Sequence, residues 1–284
     1  MGRKVLVTAD STCDLTPELK EKYNISTYPL HIILGRTSYE DGVNITPDEI
    51  YKNFKMSGVL PKTSAVNVQE YIDGFAPLVE QGYDIVHINL GSALSASYKN
   101  CCLAAKQLEH VYPVDSCNLS GASGLLVLEA AEMAEKGMGA EEIAENIQVL
   151  TSKTHGSFIV DRLDYLRAGG RCSTIAMLGA NLLSLKPCIV VNNKDGSMTV
   201  EKKYRGKLEK VLLQYIDDKL SEYDNINPKR VFITHSGISD ERSQLVYNYL
   251  KSKNVFGEIL ITHAGCTISS HCGPNTLGIL FMTK

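Results

Sequence analysis

This chain has no apolar run near the roughly 20 residues that a helix needs to span a bilayer. It has no Cys-x-x-Cys pair and no surplus of basic residues, with a formal charge of −3 over 284 residues. The first absence excludes a helical membrane span, and the second removes the usual zinc knuckle. The third leaves nothing that points to nucleic acid as a partner, and membrane contact is expected to be at most transient. Also missing are the Gly-x-x-x-x-Gly-Lys-Ser/Thr phosphate loop, the Rossmann glycine fingerprint and the Gly-x-Ser-x-Gly nucleophile elbow. No low-complexity linker or short repeat interrupts the chain.

What remains is a globular composition, 44% hydrophobic, long enough for one large domain or two moderate ones. The apolar run after Arg3-Lys4 breaks at Asp10 after about five residues, short of the ~7–15 of a secretory signal, so it reads as a buried first strand. Met1-Gly2 without Ser or Thr at position 6 is a poor myristoylation signal. The cytoplasm is the expected compartment. The cysteines then read as reduced structural thiols, Cys13, Cys101, Cys102 and Cys188 among them. His263, Cys266, His271 and Cys272 lie within ten residues, but the adjacent pair His271-Cys272 should point apart; the segment reads as a thiol-rich turn, and no metal is expected.

Three hydroxyl-rich stretches stand where a strand hands over to a helix: Asp10–Asp14, Lys62–Asn67 and Gly91–Ser97. Helix starts leave N–H donors unpaired and carry the positive end of the dipole, so such loops suit an anion. With only Lys62 as an internal cation, they favour a singly charged carboxylate over a polyphosphate. Ordinary capping by Ser, Thr and Asp is the competing explanation.

The first half alternates strand and helix. Strands are expected at Lys4–Ala9, Asp84–Leu90 and Val111–Val114, with Ile25–Leu34 a strand or extended pair. Thr16-Pro17 and the capping box Thr46–Glu49 open helices, the latter running to about Met56. Further helices are expected at Val68–Gln81, Ser95–His110 and Ser120–Lys136. This spacing predicts an α/β fold whose N-terminal parallel sheet has helices on both faces. The second half is less regular. Helices are read at Glu141–Thr151, Arg162–Arg167, Thr174–Leu185, Lys207–Glu222 and Asp240–Lys251, and strands at Ser157–Val160, Val231–His235, Glu258–Thr262 and Leu277–Thr283. A hairpin joins Cys188–Asn192 to Met198–Tyr204 around Asp195-Gly196. The change of pattern sets a boundary near residue 150, giving an N-terminal α/β domain (1–150) and a C-terminal α/β domain (151–284).

Three constellations could carry chemistry. Ser92 and Ser95 sit where a strand's carboxyl end meets a helix start, the place where open α/β sheets gather ligands. Asp10-Ser11-Thr12 and Thr63-Ser64 can converge on the same edge. Gly169-Gly170-Arg171 is either a turn presenting one cation or a glycine helix cap followed by a solvated arginine. His271, placed in a loop before the last strand, is a candidate acid, base or carboxylate donor, though a lone histidine is more often structural.

Taken together, five motifs in this order resemble the DegV family, the bacterial fatty-acid-binding proteins that serve a fatty acid kinase. They are Asp10–Asp14, Thr63-Ser64, Gly91–Ser97, Gly169-Gly170-Arg171 with Lys186-Pro187-Cys188-Ile189, and His271-Cys272-Gly273-Pro274. Ala65-Val66, Gly91 and Ala96 depart from the family pattern. The resemblance implies a two-domain α/β protein that holds one long-chain fatty acid such as palmitate in a tunnel between the domains. Its carboxylate would be bonded by Ser64 and Ser95 with Thr63 and Ser92 nearby, His271 close to the head group, and Arg171 near it or near the kinase docking face. It further implies a non-catalytic lipid-binding subunit, without cofactor, that presents the carboxylate to an ATP-dependent kinase for acyl-phosphate formation. Two rival readings are a phosphosugar-binding or isomerase-like protein and a serine hydrolase using Ser92 or Ser95, His271 and Asp10.

Overall fold

The structure is a computed structural model that describes residues 3–172, 174 and 185–284. The buried run β1 (Lys4–Asp10) leads through a single 3-10 turn into α1 (Pro17–Lys22), whose first turn is capped by Thr16 accepting from the Leu19 N–H. β2 (Ser26–Tyr28) ends before Pro29, which cannot donate to a ladder. The expected Ile25–Leu34 element therefore divides, and β3 (His31–Leu34) joins a different sheet. With β4 (Thr37–Glu40), α2 (Pro47–Ser57) and β5 (Lys62–Ser64) it forms a small antiparallel insert of order β4–β3–β5. The capping box at Thr46 and Glu49 closes as expected, and Asn67 with Glu70 makes a second one ahead of α3 (Val68–Glu80).

β6 (Tyr83–Asn89), α4 (Ser97–Ala105) and β7 (Val111–Asp115) follow, completing an all-parallel sheet of order β2–β1–β6–β7. The helix expected over Ser95–His110 is shorter at both ends. Its tail becomes a turn, because His110, at φ 71°, must offer its carbonyl to the Ile85 N–H for the chain to enter β7. α5 (Ser120–Glu135) and α6 (Ala140–Thr151) close the first half.

The second half forms one six-stranded mixed sheet, in which only β11 and β12 run parallel. It contains β8 (Thr154–Ile159), α7 (Leu163–Gly169), β9 (Leu185–Val191), β10 (Met198–Arg205), α8 (Leu208–Ser221), β11 (Ile226–Ser236), α9 (Asp240–Ser252), β12 (Glu258–His263), α10 (Cys266–Cys272) and β13 (Thr276–Thr283). The strand order is β10–β9–β8–β13–β11–β12. Two expectations change here. Leu185 opens a strand rather than ending a helix, so Lys186 and Pro187 are strand residues; positions 175–184 of the expected Thr174–Leu185 helix lie outside the described residues. His271 stands on α10, not in a loop.

The pivot is α5. Its first twelve residues are apolar or small on nearly every side, as befits a helix buried all round. It lies between the two large sheets, packing Leu125, Leu126 and Leu128 with Val7 and Val86 of one and Phe232 and Leu280 of the other. A Cβ at Gly121 would come within 2.4 Å of Thr234 Oγ1, and one at Gly124 within 2.6 Å of the Cys13 carbonyl. Glycine is what lets the helix start so close to both sheets. Among the described residues no helix is long and apolar enough to cross a membrane.

Candidate functional site

Beside the N-terminus of α5 the chain encloses a cavity of about 470 Å³, within the ~300–1,000 Å³ range of small-molecule sites. Its walls come from both halves, with Leu90 and Leu119 from the first and Phe158, Val191, Met198 and Leu280 from the second. Gly156 and Gly278 of the six-stranded sheet also line the cavity; a Cβ at Gly156 would lie 2.5 Å from Asn118 Oδ1 and one at Gly278 2.5 Å from the Ser157 carbonyl.

Among the described residues, four of the five buried hydroxyls that line the cavity are engaged by the protein itself. Thr234 Oγ1 lies 2.7 Å from Thr262 Oγ1, and Ser236 Oγ meets Tyr51 and, at 2.9 Å, Ser269. The Thr276 hydroxyl donates to the Cys272 carbonyl at 2.9 Å, and the Ser120 hydroxyl to Asp14 Oδ2 at 2.5 Å. With those bonds made, the wall is largely apolar, apart from Thr267 Oγ1 and His235 Nδ1, which are buried without a hydrogen-bond partner among the described residues.

The mouth is different. Thr63 and Ser64 end β5, Ser95 belongs to the loop between β6 and α4, Arg171 follows α7, and His271 comes from α10; all five line the cavity. The imidazole Nε2 of His271 lies 2.8 Å from Thr63 Oγ1, while Nδ1 is buried without a hydrogen-bond partner among the described residues. Burial, and then the charge of Arg171, push the His271 pKa down to about 4, so the ring is neutral. A buried N–H without an acceptor is rarer than an unfilled acceptor. In the tautomer that carries its proton on Nε2, the ring donates to Thr63 and leaves the Thr63 hydroxyl proton free. Ser95 Oγ accepts the Ser97 N–H at 3.2 Å and meets Ser97 Oγ at 3.0 Å.

The two glycines of Gly169-Gly170-Arg171 do separate jobs. Gly170, at φ 66°, is the left-handed cap of α7. Gly169 makes room, since a Cβ there would lie 2.2 Å from His271 Nδ1. Arg171 is exposed and bonds the Gly169 carbonyl at 2.6 Å and the Leu94 carbonyl at 3.5 Å, joining α7 to the β6–α4 loop. Both readings of this motif thus meet in one turn: a glycine cap, and a cation at the cavity rim.

Two expected members stand elsewhere. Ser92 is exposed, its N–H is held by Asp115 at 3.0 Å, and it does not line the cavity. Nor does the Asp10–Asp14 stretch converge with Thr63-Ser64. Asp10 is buried and saturated, taking bonds from Tyr71 (2.5 Å), His87 (3.1 Å) and the Leu90 N–H (2.7 Å), so its carboxylate ties β1 to β6 and α3. Asp14 accepts from Ser120 and, at 2.8 Å, from the Gly265 N–H; burial pushes its pKa up to about 8. In the thiol-rich segment, Cys266 and Cys272 donate to the carbonyls of Ile45 and Ile268, and burial pushes both thiols up to about 12. His263 faces solvent. Among the described residues no three His, Cys, Asp or Glu side chains gather to hold a metal.

The fold is that of an α/β protein with a largely apolar cavity whose opening carries hydroxyls, a histidine and an arginine. The chain belongs to the DegV family, whose sequence profile matches residues 4–284. It is 32% identical to a fatty acid-binding protein of Thermotoga maritima over 97% of this chain and 96% of that one. Among solved structures, it resembles a DegV family protein from Thermus thermophilus described as binding fatty acid, at a TM-score of 0.90 and 25% identity over 99% and 100% of the two chains. It also resembles DegV of Bacillus subtilis, a fatty acid-binding protein, at a TM-score of 0.85 and 26% identity over the full length of both.

Proposed function

We propose that this protein binds one long-chain fatty acid, with the alkyl tail in the cavity and the carboxylate at the mouth. The head group is bonded by Thr63, Ser64 and Ser95, with His271 behind Thr63 and Arg171 at the rim. The observation that carries this reading is the sorting of polar groups: the buried hydroxyls of Ser120, Thr234, Ser236 and Thr276 engaged by the protein, with Thr267 the exception among the described residues, and uncharged hydroxyls gathered at the opening. Burial yields roughly 0.8 kcal/mol per CH₂, so a sixteen-carbon acid brings on the order of 10 kcal/mol before ordering costs. The mouth need only avoid an unpaired carboxylate, and two or three donors suffice. Similarity to relatives described as fatty acid-binding supports the same assignment.

We further read the chain as two units, 1–150 and 151–284, with the acyl chain between them. It acts in the cytoplasm as a non-catalytic subunit, presenting the carboxylate to an ATP-dependent kinase that docks near Arg171. A hydrolase is disfavoured because Asp10 bonds His87 rather than His271. A phosphosugar site is disfavoured because the walls are largely apolar and Arg171 is the only Lys or Arg among the described lining residues. The test is to denature the protein as purified and analyse an organic extract by mass spectrometry. C14–C18 acids in near-stoichiometric amount are expected. A protein that neither carries nor takes up such acids refutes the assignment.

A further inference from the structure

α10 carries His271, yet it has only seven residues, and an isolated helix shorter than ~12–15 residues is marginal. Its position is imposed from outside. Asp41, buried in the turn after β4, accepts the Cys266 N–H at 2.6 Å and the Thr267 N–H at 3.2 Å, and its own carboxylate is oriented by the Ser11 hydroxyl at 3.0 Å. Asp14 takes the preceding Gly265 N–H. A Cβ on Gly265 would come within 3.0 Å of Asp41 and 3.2 Å of Asp14, so the chain enters the helix pressed against both carboxylates. At the other end of α10, His271 bonds Thr63. The antiparallel insert therefore holds this helix at both ends, by Asp41 at the first turn and by Thr63 at the last. Thr267, Ile268, His271 and Cys272, one face of α10, line the cavity, and Asp41 does not.

We propose that Asp41 is a positioning residue for the head-group site: it fixes α10 against the insert so that His271 meets Thr63 and directs that hydroxyl at the ligand. Loss of Asp41 leaves the first turn of α10 unsatisfied, and the far end of the helix drifts off Thr63. The wall outside α10, with Leu90, Leu119, Phe158, Val191, Met198 and Leu280, is not touched.

This inference rests on the fatty acid reading and is tested separately from it. Delipidated wild-type, Asp41→Ala, Asp41→Asn and Ser11→Ala proteins are titrated with palmitate and with hexadecanol, which has the same tail and no carboxylate. The His271 imidazole is followed by NMR. Asp41→Ala is expected to weaken palmitate about tenfold, the scale of one or two lost hydrogen bonds, weaken hexadecanol markedly less and shift the imidazole resonances. Asp41→Asn, which keeps one acceptor oxygen, should recover part of the loss, and Ser11→Ala should show a smaller loss of the same kind. If every variant binds palmitate as wild type does, or loses palmitate and hexadecanol equally, the positioning role is overturned. Failure of wild type itself to bind palmitate would instead refute the reading on which this one rests.

Discussion

Thr63→Val is the substitution that most directly probes the mouth, because valine keeps the shape and deletes only the hydroxyl. Two consequences follow from the 2.8 Å contact with His271. The carboxylate loses one donor, and a hydrogen bond to a charged group is worth about 1.5–3 kcal/mol. At 1.4 kcal/mol per decade, that is roughly tenfold to a hundredfold in Kd. At roughly 0.8 kcal/mol per methylene, the same loss equals two to four CH₂ groups. Palmitate should therefore bind the variant about as tightly as a twelve- to fourteen-carbon acid binds wild type, which calorimetric titration across a chain-length series can read directly.

The second consequence is on stability. His271 loses its partner and is left buried with both ring nitrogens unsatisfied, at a cost of about 1–3 kcal/mol. Adding His271→Phe should return most of that stability without restoring affinity, and the double-mutant cycle separates the two effects. A Thr63→Val protein whose palmitate Kd stays within twofold of wild type would refute the donor role. So would an affinity regained when His271→Phe is added, which would mean that Thr63 acts only by holding the ring.

Ser95→Ala should weaken palmitate by an amount comparable to Thr63→Val, whereas Ser92→Ala should bind as wild type, since Ser92 is exposed and held away by Asp115; equal effects of the two in the same titration would overturn this placement. Stability should peak near pH 6.5 in urea unfolding. His155, His235 and His271 each have a pKa pushed down to about 4, chiefly by burial. Between pH 6.5 and 4 the unfolded chain binds protons that the native state does not. Stability therefore falls with falling pH, by up to about 1.4 kcal/mol per unit for each histidine. Asp14 runs the other way: its pKa, raised to about 8, makes a contribution that is full below pH 4 and lost as pH rises through 8. Asp14→Asn should flatten that alkaline decline, and a wild-type stability that climbs from pH 6.5 to 8.5 would contradict the assignment.

Much of this fold could be read from local signals that act alone. Leu6–Ala9 and Ile85–Ile88 are mostly apolar runs buried in one parallel sheet, and Thr46 with Glu49 forms its capping box from residues three apart. Thr63, Ser64, Ser95, Arg171 and His271 were recognisable because the motifs holding them keep their order along the chain, and they meet at one cavity mouth. The rest turned on contacts between distant residues. β4 and β5 are too short and polar to signal a strand; they exist because β3 supplies a ladder on each side. Asp10 reads as the acid of a rival hydrolase triad until Tyr71, His87 and Leu90 are seen to saturate it. Asp41 looks like a turn residue before glycine, and only the arrival of Cys266 and Thr267 from the far end of the chain gives its carboxylate a purpose. A short apolar-and-serine segment such as Cys266–Cys272 has no reason of its own to be a helix. It becomes one because two buried carboxylates wait at its first turn, and the chemistry offered at Thr63 depends on that tertiary cap as much as on the histidine itself.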